Sequence, residues 1–288
     1  PIGKDDNSSF NGCYDGGGYS IKNLRISITT DNSAYGGLFG YNTGKLKNIT
    51  VENGNITVKA EKNSYAGAIV GYVRYGNIEN CHNKNTYVKA NVAGGIAGCV
   101  NFTEKIENCS NSGSIEGTFM GGIAGRLTTS SNALISNCTN SGNLVLPYIS
   151  GAYVGGIVGH HEKGPLKVED CKNFGRIYAE NADLPSIFTG GAPLVGGMIG
   201  YTNNSTVKGC INKADIYGYA AGGIVGYGIT YITNCINEGN ISGSSMVGGI
   251  VGFHYYGTIH DCTNKGKITV KIRRFRIIRV VQAELSVR

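Results

Sequence analysis

Gly121-Gly122-Ile123-Ala124-Gly125 is one of eight copies of a signature made of Gly, a small residue, two apolar residues and Gly. The other copies occupy residues 36–40, 67–71, 94–98, 155–159, 196–200, 222–226 and 248–252. Successive final glycines are 31, 27, 27, 34, 41, 26 and 26 residues apart. The chain is therefore a repeat with a base period of about 26 residues and insertions in some units.

Two further short segments recur after the signature in each unit. A cysteine follows in a frame like Ile-x-Asn-Cys-x-Asn, at Cys81, Cys109, Cys138, Cys171, Cys210, Cys235 and Cys262. Two residues later comes an asparagine, at Asn83, Asn111, Asn140, Asn173, Asn212, Asn237 and Asn264, and then a Gly-x-Ile-like piece. Three short apolar segments bounded by Gly and Asn predict three strands per unit.

These units predict an all-β parallel solenoid of about eight coils. A unit this short cannot enclose a core alone, whereas stacked units pair each strand with its equivalent in the next coil about 4.8 Å away. A helical repeat is excluded because no unit contains ten residues of helical periodicity free of glycine. Asparagine tolerates the left-handed backbone of turns, and its stacked amides can hydrogen-bond between coils.

Charge and hydropathy exclude two classes of partner. Residues 271–288 hold six basic side chains and one acidic one, or +5 of the net charge of +7, so the repeat body is nearly neutral. No basic stripe supports nucleic-acid binding. The sequence has no run of eighteen apolar residues that would predict a membrane span.

The seven aligned cysteines predict a ladder of free, buried thiols. The first two coils fill the same position with Leu24 and Ile49, which is typical of a small apolar core site. Disulfides are the alternative, since stacked cysteines lie within Cα range, but parallel side chains rarely reach the required torsion. Zinc would need CxxC-like pairs, which are absent from the sequence, so we expect neither a metal nor a cofactor.

Two groups of residues resemble catalytic sites weakly. His160-His161-Glu162 lacks the second histidine of a zinc-peptidase helix and precedes Gly164-Pro165, so we expect exposed turn residues. Glu79 and Glu107 should stack on neighbouring coils about 5 Å apart, the carboxylate spacing of a retaining glycosidase. The alternative is a pair of solvated glutamates, and we expect no catalytic residue.

Two surface features are candidates for binding. The residue after each signature forms a column of Tyr41, Tyr72, Cys99, Arg126, His160, Tyr201, Tyr227 and Phe253, whose rings either dock ligands or pack on one another. Insertions enlarge the connections from Ile56 to Gly67, Leu144 to Gly155 and Ile177 to Gly196. The last two belong to consecutive coils, and we predict that their loops form a binding surface containing Tyr148, Tyr153 and Phe188.

The Gly-Gly-Ile-Val-Gly units resemble the GLUG motif over about residues 21–270. This motif occurs in bacterial secreted and surface proteins, including adhesins and non-catalytic regions of immunoglobulin-A-cleaving metallopeptidases. The resemblance implies a right-handed β-helix in an extracellular or cell-surface protein. We expect a cap or partial coil at residues 1–20, the repeat domain at 21–270, and a basic tail or C-terminal cap at 271–288.

The resulting functional hypothesis is a non-enzymatic repeat domain that acts as an adhesin-like binding surface or a structural stalk. Its expected partner is a host or matrix protein or a glycan. Two alternatives stay open at this point: a β-helix enzyme that degrades polysaccharide, and an accessory domain of a larger surface peptidase.

Overall fold

The computed structural model describes residues 1–103, 105–129, 132–146, 151–179 and 191–271. These residues form a parallel β-solenoid, which confirms the predicted fold class. A single turn of 3₁₀-helix at Asp6–Ser8 is the one helical element in the described ranges. No helix within them has the length and apolar character needed to cross a membrane.

The described strands stack into four parallel sheets. Sheet 1 contains Cys13–Asp15, Phe39–Asn42, Lys45–Lys47, Val70–Arg74, Ile78–Glu79, Ala97–Asn101, Lys105–Glu107, Ala124–Thr128, Ala133–Ser136, Val158–His161, Leu166–Glu169, Ile199–Lys208, Val225–Thr233 and Val251–His260. Sheet 2 contains Ser20–Lys22, Thr50–Glu52, His82–Lys84, Ser110–Asn111, Thr139–Asn140, Lys172–Asn173, Ile211–Asn212, Ile236–Asn237 and Thr263–Asn264.

The other two sheets complete each coil before the next signature. Sheet 3 contains Arg25–Thr30, Asn55–Ala60, Tyr87–Lys89, Ile115–Glu116, Leu144–Leu146, Ile177–Ala179, Ile216–Gly218, Ile241–Gly243 and Ile268–Val270. Sheet 4 contains Ala34–Gly36, Ser64–Gly67, Val92–Gly94, Phe119–Gly121, Tyr153–Gly155, Leu194–Gly196, Ala220–Gly222 and Val247–Gly248.

The number of strands per coil differs from the prediction of three. The signature is a corner and not one strand: Val92–Gly94 ends sheet 4, Gly95 and Ile96 make the bend, and Ala97–Asn101 begins sheet 1. A second bend divides sheet 1 in five coils, whereas Ile199–Lys208 and its two successors run through it as one strand. Short apolar segments on either side of a glycine bend cannot be separated by composition alone.

Apart from two bulges in the last coils of sheet 1, register is kept from coil to coil, so equivalent residues form columns along the axis. Gly94 pairs with Gly121, and Gly121 pairs with Gly155. The interior is a continuous column of apolar side chains, of which the signature supplies Ile69, Ile96, Ile123, Ile157, Met198 and Ile224, all fully buried. One core therefore runs through the described coils, as stacking requires.

Two asparagine columns have different roles. The residue before each ladder cysteine has a left-handed backbone, with φ between 51° and 65° at Asn80, Asn108, Asn137, Asp170, Gly209, Asn234 and Asp261. Asn, Asp and Gly are the residues that adopt this conformation at least cost, so they turn the chain from sheet 1 into sheet 2. The second column, two residues after each cysteine, hydrogen-bonds along the axis and is buried in every coil except the last, where Asn264 is exposed.

The N-terminal segment covers part of the first coil. The rings of Phe10 and Tyr14 lie with their centroids 5.0 and 5.4 Å from that of Phe39. Cys13–Asp15 already pairs with Lys45–Lys47 in sheet 1, so coil structure begins before residue 21. At the other end the basic tail, residues 272–288, lies outside the described residues.

Gly121→Ala is expected to lower the free energy of unfolding by about 2 kcal/mol. An added Cβ would lie 1.9 Å from the carbonyl oxygen of Ala124 and 2.7 Å from that of Ile157, and backbone atoms cannot move aside like a side chain. Urea unfolding followed by circular dichroism measures the change. Gly12→Ala is the control, because its Cβ would meet only the Phe10 ring at 3.2 Å or more. Equal losses of unfolding free energy in the two variants would show that the backbone contacts of Gly121 do not restrict this position.

Candidate binding surface

The cysteine ladder lies inside the solenoid. All seven thiols are free; six are fully buried, and Cys262 in the last coil is half-buried. Each Sγ donates to the carbonyl oxygen two residues earlier at 3.1–3.4 Å. Burial raises the pKa of the Cys109 thiol, so it stays protonated. Among the described residues, no cluster of His, Cys, Asp and Glu side chains is arranged to hold a metal ion.

The predicted column after the signature is present, and its rings pack on one another. Strand pairing aligns all eight positions from Tyr41 to Phe253. Tyr41 and Tyr72 stack with centroids 4.8 Å apart, Tyr201 and Tyr227 at 5.7 Å, and Tyr227 and Phe253 at 4.8 Å. Stacking therefore covers ring faces along the column; Tyr41 is buried, and the Tyr72 hydroxyl accepts a hydrogen bond from Asn101 at 2.8 Å.

A second column faces the first across the signature corner. It consists of Tyr35, Tyr65, Val92, Phe119, Tyr153 and Leu194 in sheet 4. Tyr65 meets Tyr72 edge-on at 5.5 Å, and Tyr153 lies 4.8 Å from His160. We call the two columns together the aromatic corner. The second column was not predicted, although aromatic residues recur two positions before the first glycine at Tyr65, Phe119 and Tyr153.

Polar side chains interrupt the middle of the aromatic corner. The Arg126 guanidinium donates two hydrogen bonds to the Glu162 carboxylate, one from Nε at 3.2 Å, and Thr128 Oγ1 donates a third at 2.9 Å. Hydrogen bonding from Arg126 lowers the pKa of Glu162. Burial raises the pKa of Cys99 to about 12. At neutral pH this region therefore holds one ion pair, between Arg126 and Glu162, and one protonated thiol, that of Cys99.

The expectation that His160 and His161 are exposed turn residues is wrong for both. They end the strand Val158–His161, and His161 points into the core, where its Nδ1 lies 2.8 Å from Thr202 Oγ1 and its Nε2 3.2 Å from the Lys163 carbonyl. Burial lowers the pKa of His160 and of His161 to about 4 each. Strand alternation explains the burial, because Leu127 occupies the same interior column one coil earlier.

The two glutamates of the glycosidase alternative do lie side by side. Glu79 pairs with Glu107 in sheet 1. The Glu107 carboxylate lies 2.5 Å from Lys105 Nζ and accepts a hydrogen bond from Ser136 Oγ at 3.2 Å. Local side chains thus already use its oxygens, and the neighbouring column members include Lys47 and Ser136. This arrangement is that of a charged outer sheet face.

The two large insertions leave the solenoid beside the aromatic corner. Gly151 donates its N–H to the Gly191 carbonyl at 2.8 Å, and Leu194 donates to Ala152 at 2.9 Å. Tyr153 follows directly, half-buried between Phe119, His160 and Tyr201 at 4.8–5.3 Å. The other two predicted binding residues, Tyr148 and Phe188, lie outside the described residues.

Comparisons with known proteins agree with the repeat and the fold. The GLUG motif matches residues 62–87 and 243–269. Halomucin of Haloquadratum walsbyi is 28% identical over 182 residues, 57% of this chain, but the chain spans only 2% of Halomucin. The crystal structure of a candidate immunoglobulin A1 protease from Bacteroides ovatus superposes with a TM-score of 0.56 at 20% identity, over 85% of this chain and 68% of that one. Its likeness concerns the fold alone. The signature and the motif match show that the chain carries GLUG repeats.

Proposed function

We propose that this chain is a non-enzymatic repeat domain of a secreted or cell-surface protein that presents an adhesin-like binding surface. The observation that carries the proposal is the contact between Gly151 and Gly191, which brings two insertions of an otherwise regular scaffold to one corner. Long connections on a rigid solenoid are where such proteins bind partners. The similarity to Halomucin supports a location outside the cell.

The binding surface comprises the two insertions and the adjoining part of the aromatic corner around Tyr153. Tyrosine supplies contact area with few rotatable bonds, which favours it at interfaces. Beside Tyr153, Arg126 is paired with Glu162, and His160 is neutral at pH 7 because burial lowers its pKa. We therefore propose a host or matrix protein or a glycan as the partner.

Removal of residues 180–190 is expected to abolish binding without unfolding the domain. The deletion leaves Gly191 and Leu194, whose backbones bond to the preceding coil, and reduces the connection from Ile177 to Gly196 to eight residues, close to the six or seven of regular coils. Beads coated with the chain are tested on matrix proteins and glycan arrays, and thermal unfolding is measured in parallel. Tyr19→Ala is the control, because Tyr19 is exposed and lies far from both insertions in the sequence. Undiminished bead binding by the deletion variant would place the surface elsewhere.

A structural stalk is the second candidate, and the continuous asparagine column favours it. Seven side-chain amides are linked by hydrogen bonds of 2.7–2.9 Å from Asn83 to Asn264. Eight coils give a rod about 40 Å long. Single-molecule pulling along the axis tests this role, since a stalk should unfold at high force whether or not the insertions are present.

A further inference from the structure

We propose that a cleft on the last three described coils binds one ring of a neutral sugar. The cleft has a volume of about 200 Å³ and is lined by Tyr201, Thr202, Asn203, Tyr227, Gly228, Ile229 and Tyr255. The proposal rests on the proposed role as a binding surface and names a ligand class for it. It concerns residues outside the two insertions.

The cleft exists because sheet 1 loses its regular register there. Thr202 pairs with Gly228, but the next pair is Ser205 with Thr230, so one strand has an extra residue. In the next coil Gly228 pairs with His254 and Ile229 with Tyr256, which leaves Tyr255 as the extra, unpaired residue. Such bulges redirect side chains and are frequent beside binding sites.

Glycine is required at the first bulge. Gly228 has φ of 146°, and a Cβ there would lie 1.9 Å from the Thr202 carbonyl oxygen. The close approach of the two backbones forms the floor of the cleft, and Tyr255 projects beside it with 72% of its surface exposed. The geometry is therefore set by the backbone and not by a flexible loop.

The lining offers the two kinds of contact that a sugar ring needs. Tyr201 and Tyr227 stack on each other with ring planes 10° apart, so they turn their edges and hydroxyl groups to the cleft, and neither hydroxyl bonds to another described residue. Tyr255 has no ring partner in the described part of the chain, which leaves its face free for the C–H face of a pyranose. Asn203 donates to the Glu162 carbonyl at 3.3 Å and keeps its Oδ1 as an acceptor.

Charge and size restrict the ligand. None of the seven lining residues carries a charge at neutral pH, so nothing in the lining compensates an anionic or cationic group. The volume is below that of sites for drug-sized molecules, which suits a single ring at the end or side of a glycan. Alternating apolar and hydroxyl-bearing surfaces distinguish a neutral sugar from other small neutral ligands.

The test is saturation-transfer NMR and titration of the chain with glucose, galactose, mannose, fucose, N-acetylglucosamine and N-acetylgalactosamine, with sialic acid and glucuronic acid for comparison. We expect at least one neutral sugar to bind with Kd on the order of 1 mM. Tyr255→Ala should weaken that binding about tenfold. Tyr256→Ala is the matched control, because Tyr256 is similarly exposed, at 67%, but pairs with Ile229 in the ladder and does not line the cleft.

Three results would overturn the proposal: no neutral sugar binds, the charged sugars bind better, or Tyr255→Ala and Tyr256→Ala weaken binding equally. The bead experiment separates this failure from that of the proposed function. If the natural chain binds no sugar but its beads still adhere, the cleft alone is refuted. Sugar binding that depends on Tyr255, in beads that adhere to nothing, refutes the adhesive function alone.

Discussion

Replacing Asn140 with alanine is expected to lower the free energy of unfolding by about 4 kcal/mol. Its side chain is fully buried, and its Nδ2 donates to Asn173 Oδ1 at 2.8 Å and to the Gly142 carbonyl at 3.0 Å. Its Oδ1 accepts from Asn111 Nδ2 at 2.8 Å and from the Gly142 N–H at 3.2 Å. Alanine loses all four hydrogen bonds and leaves two backbone groups of Gly142 buried without these partners.

The asparagine at the exposed end of the same column is the matched control. Asn264 accepts from Asn237 at 2.7 Å and donates to the Gly266 carbonyl at 2.8 Å, but it is exposed, so water replaces these bonds in Asn264→Ala. We expect that variant to lose less than about 1 kcal/mol. Guanidinium unfolding followed by circular dichroism compares the two. Similar losses in both would show that burial of the amide column contributes little.

A second variant separates hydrogen bonding from volume. Asn140→Asp keeps the shape of the side chain but replaces the Nδ2 donor with an acceptor, which would face the acceptors Asn173 Oδ1 and the Gly142 carbonyl. The oxygen that replaces Nδ2 in this buried carboxylate faces no donor, so we expect this variant to be at least as unstable as Asn140→Ala. A stable aspartate variant would contradict the assigned donor direction.

The repeat made the solenoid predictable, because a constant period fixes which residues become neighbours. Asn111 and Asn140 align in the sequence and bond in the structure for the same reason. The column after the signature was predictable on the same ground. The number of strands per coil was not, since a glycine such as Gly95 reads equally as a strand residue or a bend.

The sequence predictions failed where adjacent side chains point to opposite faces of a strand, or where a single residue is inserted into a strand. His161 lies two positions after Gly159 and therefore points inward, a signal already present in Val100 and Leu127 at the same position. The cleft was not predicted, although the sequence carries a signal for it: the last signature glycine and the ladder cysteine are 10 residues apart from Gly200 to Cys210 and from Gly252 to Cys262, but 9 apart from Gly226 to Cys235. The second aromatic column was predictable from its spacing and was missed.

Acidification from pH 7.5 to pH 4 is expected to remove about 3 kcal/mol of folding stability through His161 alone. Burial lowers the pKa of this imidazole in the folded chain from its ordinary value of 6.5 to about 4. Between these values the unfolded chain binds a proton that the folded chain does not. The stability is therefore complete above pH 6.5 and decreases as the pH falls through this window. His160 adds a smaller loss of the same sign, because its ring is partly exposed.

Carboxylates act at lower pH and can be separated from the histidines. The hydrogen bonds from Arg126 lower the pKa of Glu162 from its ordinary value of 4.5, and the hydrogen bond from Asn48 lowers that of Asp15 from 3.8 to about 2. Both groups are ionised throughout the upper part of the histidine window, and the stability they contribute is lost only below their ordinary pKa values. A loss of stability between pH 6.5 and 5 therefore reports the histidines.

The decisive variant is His161→Leu, because Leu127 fills the equivalent position one coil earlier. The substitution removes the hydrogen bond to Thr202 but also removes the group that titrates, so the variant should lose about 1 kcal/mol at pH 7.5 and much less than the natural chain on acidification. Urea unfolding at half-unit steps from pH 7.5 to 4 gives both profiles. If the natural chain keeps a constant stability across this range, or if His161→Leu retains the full slope, the buried imidazole is not the acid-sensitive group. If stability falls with pH in the natural chain but much less in His161→Leu, a neutral histidine in the solenoid core sets the lower pH limit of the fold.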